Sequence, residues 1–283
     1  MNTMQTQDQL NSLKICFIGG GNMARALIGG MLKQGFPPAQ ISVIESDAQK
    51  RIDLSLDYGI NVTEQLPSAA ASDIIVLAVK PQQLRDVSIF LGSLIRHQLL
   101  ISIAAGVRIT DLSRWLGGYQ TIVRVMPNTP AQIQLGVSAL LAAPAVNTAQ
   151  RQQAEVLLQA VGQTLWLDDE EKMDAVTAIS GSGPAYVFYL IEALQDAAMN
   201  LGFPEEQARM LSQQTFAGAC QLALQSTASP AELRHQVTSR DGTTERAIHS
   251  LEMAKVKAAI IEAAQAAALR SRELGDQLGS DQN

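Results

Sequence analysis

The stretch KICFIGGGNMARALIGG, residues 14–30, places an apolar run, three consecutive glycines and a helix-like apolar spacing end to end. Glycine destabilises both strands and helices, so three of them at a strand-to-helix junction point to a backbone requirement there. Gly19, Gly21 and Ala24 fit the G-x-G-x-x-(G/A) pattern of a dinucleotide-binding turn. In that pattern the first glycine makes the tight turn, the second lets the backbone approach a pyrophosphate, and the third small residue packs the helix onto the strand. The free N–H groups and positive dipole end of the following helix then face the phosphates.

Working outward, runs rich in β-branched residues recur at 14–18, 41–44, 73–79, 99–103 and 121–125, with helical patterns at 23–34, 48–56 and 82–91 between them. Alternation of this kind predicts βαβ units and a parallel sheet covered on both faces. Strands at 137–141 and 164–167 and a helix at 148–161 extend the same domain. Glu45 closes the second strand, where an acidic side chain accepts from a ribose 2′-OH and repels a 2′-phosphate. It therefore favours NADH over NADPH, although Lys50 and Arg51 lie close enough to soften that preference and Ser46 suits either ribose.

After LDDEEK the alternation stops, and helical patterns follow at 173–179, 184–201, 204–225, 229–237 and 244–274. The predicted organisation is a doubly wound α/β domain of Rossmann type over 1–168, followed by an all-α domain over 169–283. The helix at 184–201 has Pro184 in its first turn and Gly202 just past its end, the usual start and stop signals. Apolar residues cover most of its circumference, so it must be surrounded, and a second subunit is the expected source of cover.

The composition narrows the class. A chain of 283 residues suits two domains, and a net charge of −6 without a basic run gives no footprint for nucleic acid. No stretch of about 18 apolar residues is available to span a bilayer. The opening MNTMQTQDQLNS lacks the features of a signal peptide and reads as a frayed leader, which predicts a cytoplasmic protein. Cys16 and Cys220 are expected to be buried free thiols, and no metal-ligand spacing is present.

Three motifs fall at strand ends, where an open α/β sheet binds ligands: AVKP at 78–81, SIAAG at 102–106 and MPNTP at 126–130. Lys80 would stand beside the cofactor, while Asn128 and Thr129 would either bond its nicotinamide end or cap their own turn. Two further loops, SGSGP at 180–184 and TSRDGTTE at 238–245, put hydroxyls and glycine before helices. Each is either plain N-capping or part of a site for a small carboxylate. His97, His235 and His249 sit in polar helical contexts, and no nucleophile or imidazole base stands out. Hydride transfer to an already protonated imine tolerates that absence, because the cofactor carries the hard step. A β-hydroxyacid dehydrogenase would be expected to place a lysine in an early helix of the second domain, and a nucleotide sensor would need a basic or protein-binding patch.

Taken together, FIGGGNMA, AVKP, SIAAG, MPNTPA, SGSGPAYVF and DGTTERAI make the chain resemble the pyrroline-5-carboxylate reductase family along nearly its whole length. The resemblance implies hydride transfer from NADPH or NADH to 1-pyrroline-5-carboxylate, giving L-proline, in a homodimer commonly built further into a decamer. It implies cofactor contacts at Gly19, Gly21, Asn22, Met23, Lys80, Ala104 and Asn128, to which the reading of the second strand adds Glu45. Substrate contacts are implied at Ser182, Gly242, Thr243 and Thr244, with Thr244 and Ser239 as the catalytic hydroxyls. Where the family commonly has Ser-Pro-Gly-Gly, this chain has Ser239, Arg240, Asp241 and Gly242. The lost proline removes a fixed φ, and Asp241 brings negative charge to the expected carboxylate site.

Overall fold

The computed structural model describes residues 12–280; the leader reading at 1–12 lies, but for Ser12, outside that range. Eight strands form one sheet in the order β3-β2-β1-β4-β5-β6-β7-β8. In chain order, β1 (Ile15–Ile18), α1 (Asn22–Lys33), β2 (Ile41–Ile44), α2 (Ala48–Tyr58) and β3 (Asn61–Thr63) build one edge. The chain then returns to the middle with β4 (Ile74–Leu77), α3 (Pro81–Gly92), β5 (Leu99–Ser102), α4 (Ile109–Trp115) and β6 (Ile122–Met126). The far edge is β7 (Gly136–Ala142), α5 (Thr148–Gln159) and β8 (Gly162–Trp166). β1 and β4 are both buried throughout and pair in parallel, so the chain reverses its direction of travel between them. Such a switch point opens a crevice at the carboxyl ends of the strands.

Local chemistry explains most of these elements. Asp47 caps α2 by accepting from Lys50 N, and Gly59 ends the helix at φ 64°. Asn147 and Gln150 make a reciprocal capping box on α5. Cys16 lies in the core, where burial pushes its thiol up to about 11. Arg124 is buried on β6 and pairs with Glu170 Oε1 at 2.9 Å, and the same oxygen accepts from Ile109 N at 2.8 Å. That carboxylate neutralises a buried charge and anchors the start of α4 at once.

Several expectations change. β7 runs antiparallel to β6, because residues 127–135 are too few for the crossover of about a dozen residues that a parallel neighbour needs. The three-residue β3 and the seven-residue α4 are too short to leave a periodic signal. The helix expected at 173–179 is α6 (Lys172–Val176) followed by a π-helical turn, Thr177–Gly181. The helix expected at 244–274 is two, α10 (Thr243–Met253) and α11 (Val256–Gly279), separated at Lys255, which takes φ 55° without glycine or proline to signal it.

The chain divides into two compact units, residues up to Gly181 together with those from Ala267 onward, and Ser182–Ala266. The sequence places its boundary earlier, where strand patterns stop at 168. The last turns of α11 join the first unit through Asp276, 2.6 Å from Arg108, and through Ser271, whose hydroxyl donates to Asp174 at 2.7 Å. The second unit holds α7 (Gly183–Asn200), α8 (Glu205–Gln225), α9 (Pro230–Gln236), α10 and the start of α11. Within it Ala208 and Ser212 alone are buried. Cys220, expected to be buried, is exposed on α8. Among the described residues, no helix is long and apolar enough to cross a membrane.

Candidate functional site

A cleft of about 550 Å³ opens at the switch point, lined among others by Gly19, Gly21, Glu45, Lys50, Lys80 and Gln83. Gly19 has φ +100°, and a Cβ there would lie 2.8 Å from Ala78 O, so conformation and space both demand glycine. A Cβ at Gly21 would meet nothing within 4 Å, which leaves the backbone open for close approach from the cleft. Asn22 begins α1, Met23 follows half-buried, and Ala24 is 1 % exposed beneath them. α1 has no side-chain cap, so the donors of its first turn are left for a ligand. The group these residues fit is a pyrophosphate.

Glu45 acts differently from the simple ribose acceptor the sequence suggests. Its Oε2 accepts from Gly20 N at 2.9 Å and its Oε1 from Asp47 N at 3.0 Å. Partial burial pushes the carboxyl up, but the Asp47 and Gly20 N–H groups, the Lys50 charge and the Ser46 hydroxyl outweigh it and hold it below its usual range. Glu45 is thus an ionised clamp between the end of β2 and the glycine turn. Arg51 is equally committed: it donates to Glu45 O and Ser46 O and pairs with Glu64 at 3.0 Å. Lys50 lines the cleft. Ser46, expected to suit either ribose, also lines it, and so do Asp47, Glu64 and Gln83, which escape a motif search because their places depend on where the strands end and the helices begin.

Lys80 is exposed just before α3, and Ala104 is 5 % exposed after β5. Asn128 is 9 % exposed, and its side chain makes no cap to its own turn. Instead its Oδ1 accepts from Val137 N at 2.9 Å and its Nδ2 donates to Ser180 O at 3.1 Å.

In the second unit, Ser182 precedes α7 without a side-chain capping bond. Ser239 and Gly242 lead into α10, whose first two residues are Thr243 and Thr244 and which also lacks a side-chain cap. Neither junction is plain hydroxyl N-capping, so the first-turn N–H groups remain free of that use. The altered loop still turns: Gly242 N donates to Ser239 O at 3.1 Å, and Asp241 N donates to Glu245 Oε2 at 2.8 Å. Asp241 takes φ 58°, a conformation Asp tolerates better than most residues. The Arg240 and Asp241 side chains are 94 % and 92 % exposed. Thr244 is half-buried, whereas His97, His235 and His249 are all exposed.

Fold and cleft together define a Rossmann-type NAD(P)-dependent oxidoreductase. Residues 14–106 match the family model described as NADP oxidoreductase, coenzyme F420-dependent, and residues 170–274 match that described as pyrroline-5-carboxylate reductase dimerisation. A pyrroline-5-carboxylate reductase of Pseudomonas aeruginosa is 47 % identical over 95 % of this chain and 100 % of its own. One from Arabidopsis thaliana is 37 % identical over 93 % of this chain and 96 % of its own. The solved structure of the Coxiella burnetii enzyme superposes with a TM-score of 0.88 at 40 % identity, covering 93 % of this chain and 98 % of that one. The Plasmodium falciparum structure, with NADP bound, gives 0.85 at 29 % identity over 94 % and 99 %. The chain belongs to the pyrroline-5-carboxylate reductase family.

Proposed function

We propose that this chain reduces 1-pyrroline-5-carboxylate to L-proline, the last step of proline biosynthesis, using NAD(P)H. The observation that carries the reading is the pairing, in a chain of this family, of an open glycine cleft with uncapped helix N-termini at α7 and α10. Bound NAD(P)H supplies a hydride to the C=N carbon. The backbone at Gly19, Gly21, Asn22 and Met23 holds the pyrophosphate, Glu45 serves the adenosine ribose, and Lys80 and Ala104 serve the nicotinamide side; the Asn128 carboxamide, expected beside them, is taken up by Val137 N and Ser180 O. The N–H groups near Ser182 and Gly242 to Thr244 hold the substrate carboxylate. The imine arrives largely protonated; the Thr244 hydroxyl, with Ser239 in the same loop, accepts from its ring N–H and holds the iminium in place, and hydride addition at the carbon turns it into the ring amine of proline. The first unit carries the cofactor cleft, and Ser182–Ala266 carries the substrate loop and the dimerisation helices. The dimers assemble further into a decamer, in the cytoplasm.

The test is loss of nicotinamide absorbance with purified protein and 1-pyrroline-5-carboxylate, with NADH and NADPH in parallel. Turnover with either supports the activity, whereas cofactor binding without turnover overturns it. The ionised Glu45 argues for NADH, so a higher kcat/KM with NADPH would reverse that part. Thr244→Ala should lower kcat by about ten- to a hundredfold, the lower part of the general-acid range, because the imine arrives largely protonated. An unchanged kcat would remove Thr244 from the ring-nitrogen contact.

A further inference from the structure

We propose that Asn128 is a positioning residue of this reaction, acting through the π-helical turn Thr177–Gly181. The inference rests on the reading that the N–H groups opening α7 receive the substrate carboxylate.

A π-helical turn carries one residue more than an α-helical one and needs support from outside the helix. Part of that support is local: Thr177 Oγ1 donates to Met173 O at 2.8 Å, and Ser180 Oγ donates to Val176 O at 3.1 Å. The link to the sheet runs through Asn128, a carboxamide that binds Val137 N on β7 with its oxygen and Ser180 O on the turn with its nitrogen. Each end needs its own chemistry, an acceptor for Val137 and a donor for Ser180, and an amide supplies both. Met126, on the same strand end, closes the arrangement: a Cβ at Gly181 would lie 2.5 Å from its Cε. Ser182 follows Gly181 directly, so displacement of the turn displaces the Ser182 and Gly183 amides. Asn128 thereby sets the geometry of the carboxylate site without touching the carboxylate.

The reading predicts a split in kinetics. Asn128→Asp keeps the acceptor for Val137 N and sets a carboxylate oxygen against Ser180 O. Its dinucleotide Kd, measured by nicotinamide fluorescence without substrate, should stay within about twofold. KM for 1-pyrroline-5-carboxylate should rise about tenfold or more, the scale on which small misplacements act. Thr177→Val removes the hydroxyl that donates to Met173 O, loosens the same turn and should raise KM about threefold or more with an unchanged dinucleotide Kd, while leaving Asn128 intact. If Asn128→Asp fails to fold, Thr177→Val carries the test. A tenfold weaker dinucleotide Kd with unchanged KM in Asn128→Asp would make Asn128 a direct cofactor contact and overturn the proposal. An unchanged KM in Thr177→Val would overturn it as well. A wild-type protein without turnover instead overturns the proposed activity itself, a distinct outcome.

Discussion

β1 and α7 are both strongly apolar, yet Ile15 to Ile18 are at most 3 % exposed while Phe188 and Tyr189 stand 65 % and 72 % exposed. The first unit closes its own core by stacking helices on a sheet. The second presents helices with broad apolar faces, yet only two of its residues are buried. Apolar surface of this extent is removed from water by a partner. The match of 170–274 to a dimerisation model says which kind: another copy of the chain.

The sharpest way to break this comparison is Phe188→Asp. A charge in a dimer's apolar interior costs several kcal/mol, a loss of association of about a hundredfold or more. Sedimentation velocity should report a single chain, while the dinucleotide Kd of the first unit stays near wild type. A dimer that survives would mean that α7 is covered in another way. Next in size is Gly19→Ala, which adds left-handed strain of about 1–2 kcal/mol to a clash with Ala78 O. Its melting temperature should fall by about ten degrees or more and dinucleotide binding should be lost. Gly21→Ala is the control: it meets open space, so it should melt within a few degrees of wild type and still bind dinucleotide about tenfold more weakly.

Glu45→Gln probes a smaller effect in the same cleft. Removing the charge should raise the NADPH-to-NADH ratio of kcat/KM about tenfold, near the scale of one charge contact. The pH dependence follows from the sign of the shift. The folded carboxyl lies below its unfolded value, so its stabilisation is present above the unfolded value and is lost as pH falls through the folded one. Wild type should therefore lose more stability than Glu45→Gln between about pH 5 and pH 3. Equal losses would mean that Glu45 is not an ionised clamp. The smallest change belongs to the second unit. Asp241→Gly removes a strained φ and an exposed charge, so stability should rise by about 0.5–1 kcal/mol and KM for the imine fall about twofold. A higher KM would show that Asp241 helps to bind substrate.

The legible parts of the molecule were those encoded by neighbours in the chain. The run from β1 through Gly19 to α1 could be read because strand, turn and helix signals lie within a few residues of each other. The start of α7 at Pro184 and its end before Gly202 were visible for the same reason. Lys255 marks where that reading stops: its φ of 55° divides α10 from α11, and the surrounding EMAKVKA reads as continuous helix. The altered loop is a middle case. Its sequence raises doubt about the turn, and the backbone shows Asp241 adopting it.

The sequence by itself determined the alternation of the main strands and helices, the glycine turn, the apolar character of α7 and the family. Those properties follow from propensity, spacing and backbone sterics, which act over short separations. Tertiary structure alone decided that Glu45 is tied to Gly20 across 25 positions, and that Asn128 reaches Ser180 across 52. A side chain's hydrogen-bond capacity is written in its identity, but its partner is chosen only when the sheet and its connections bring distant backbone groups within 3 Å or so of it.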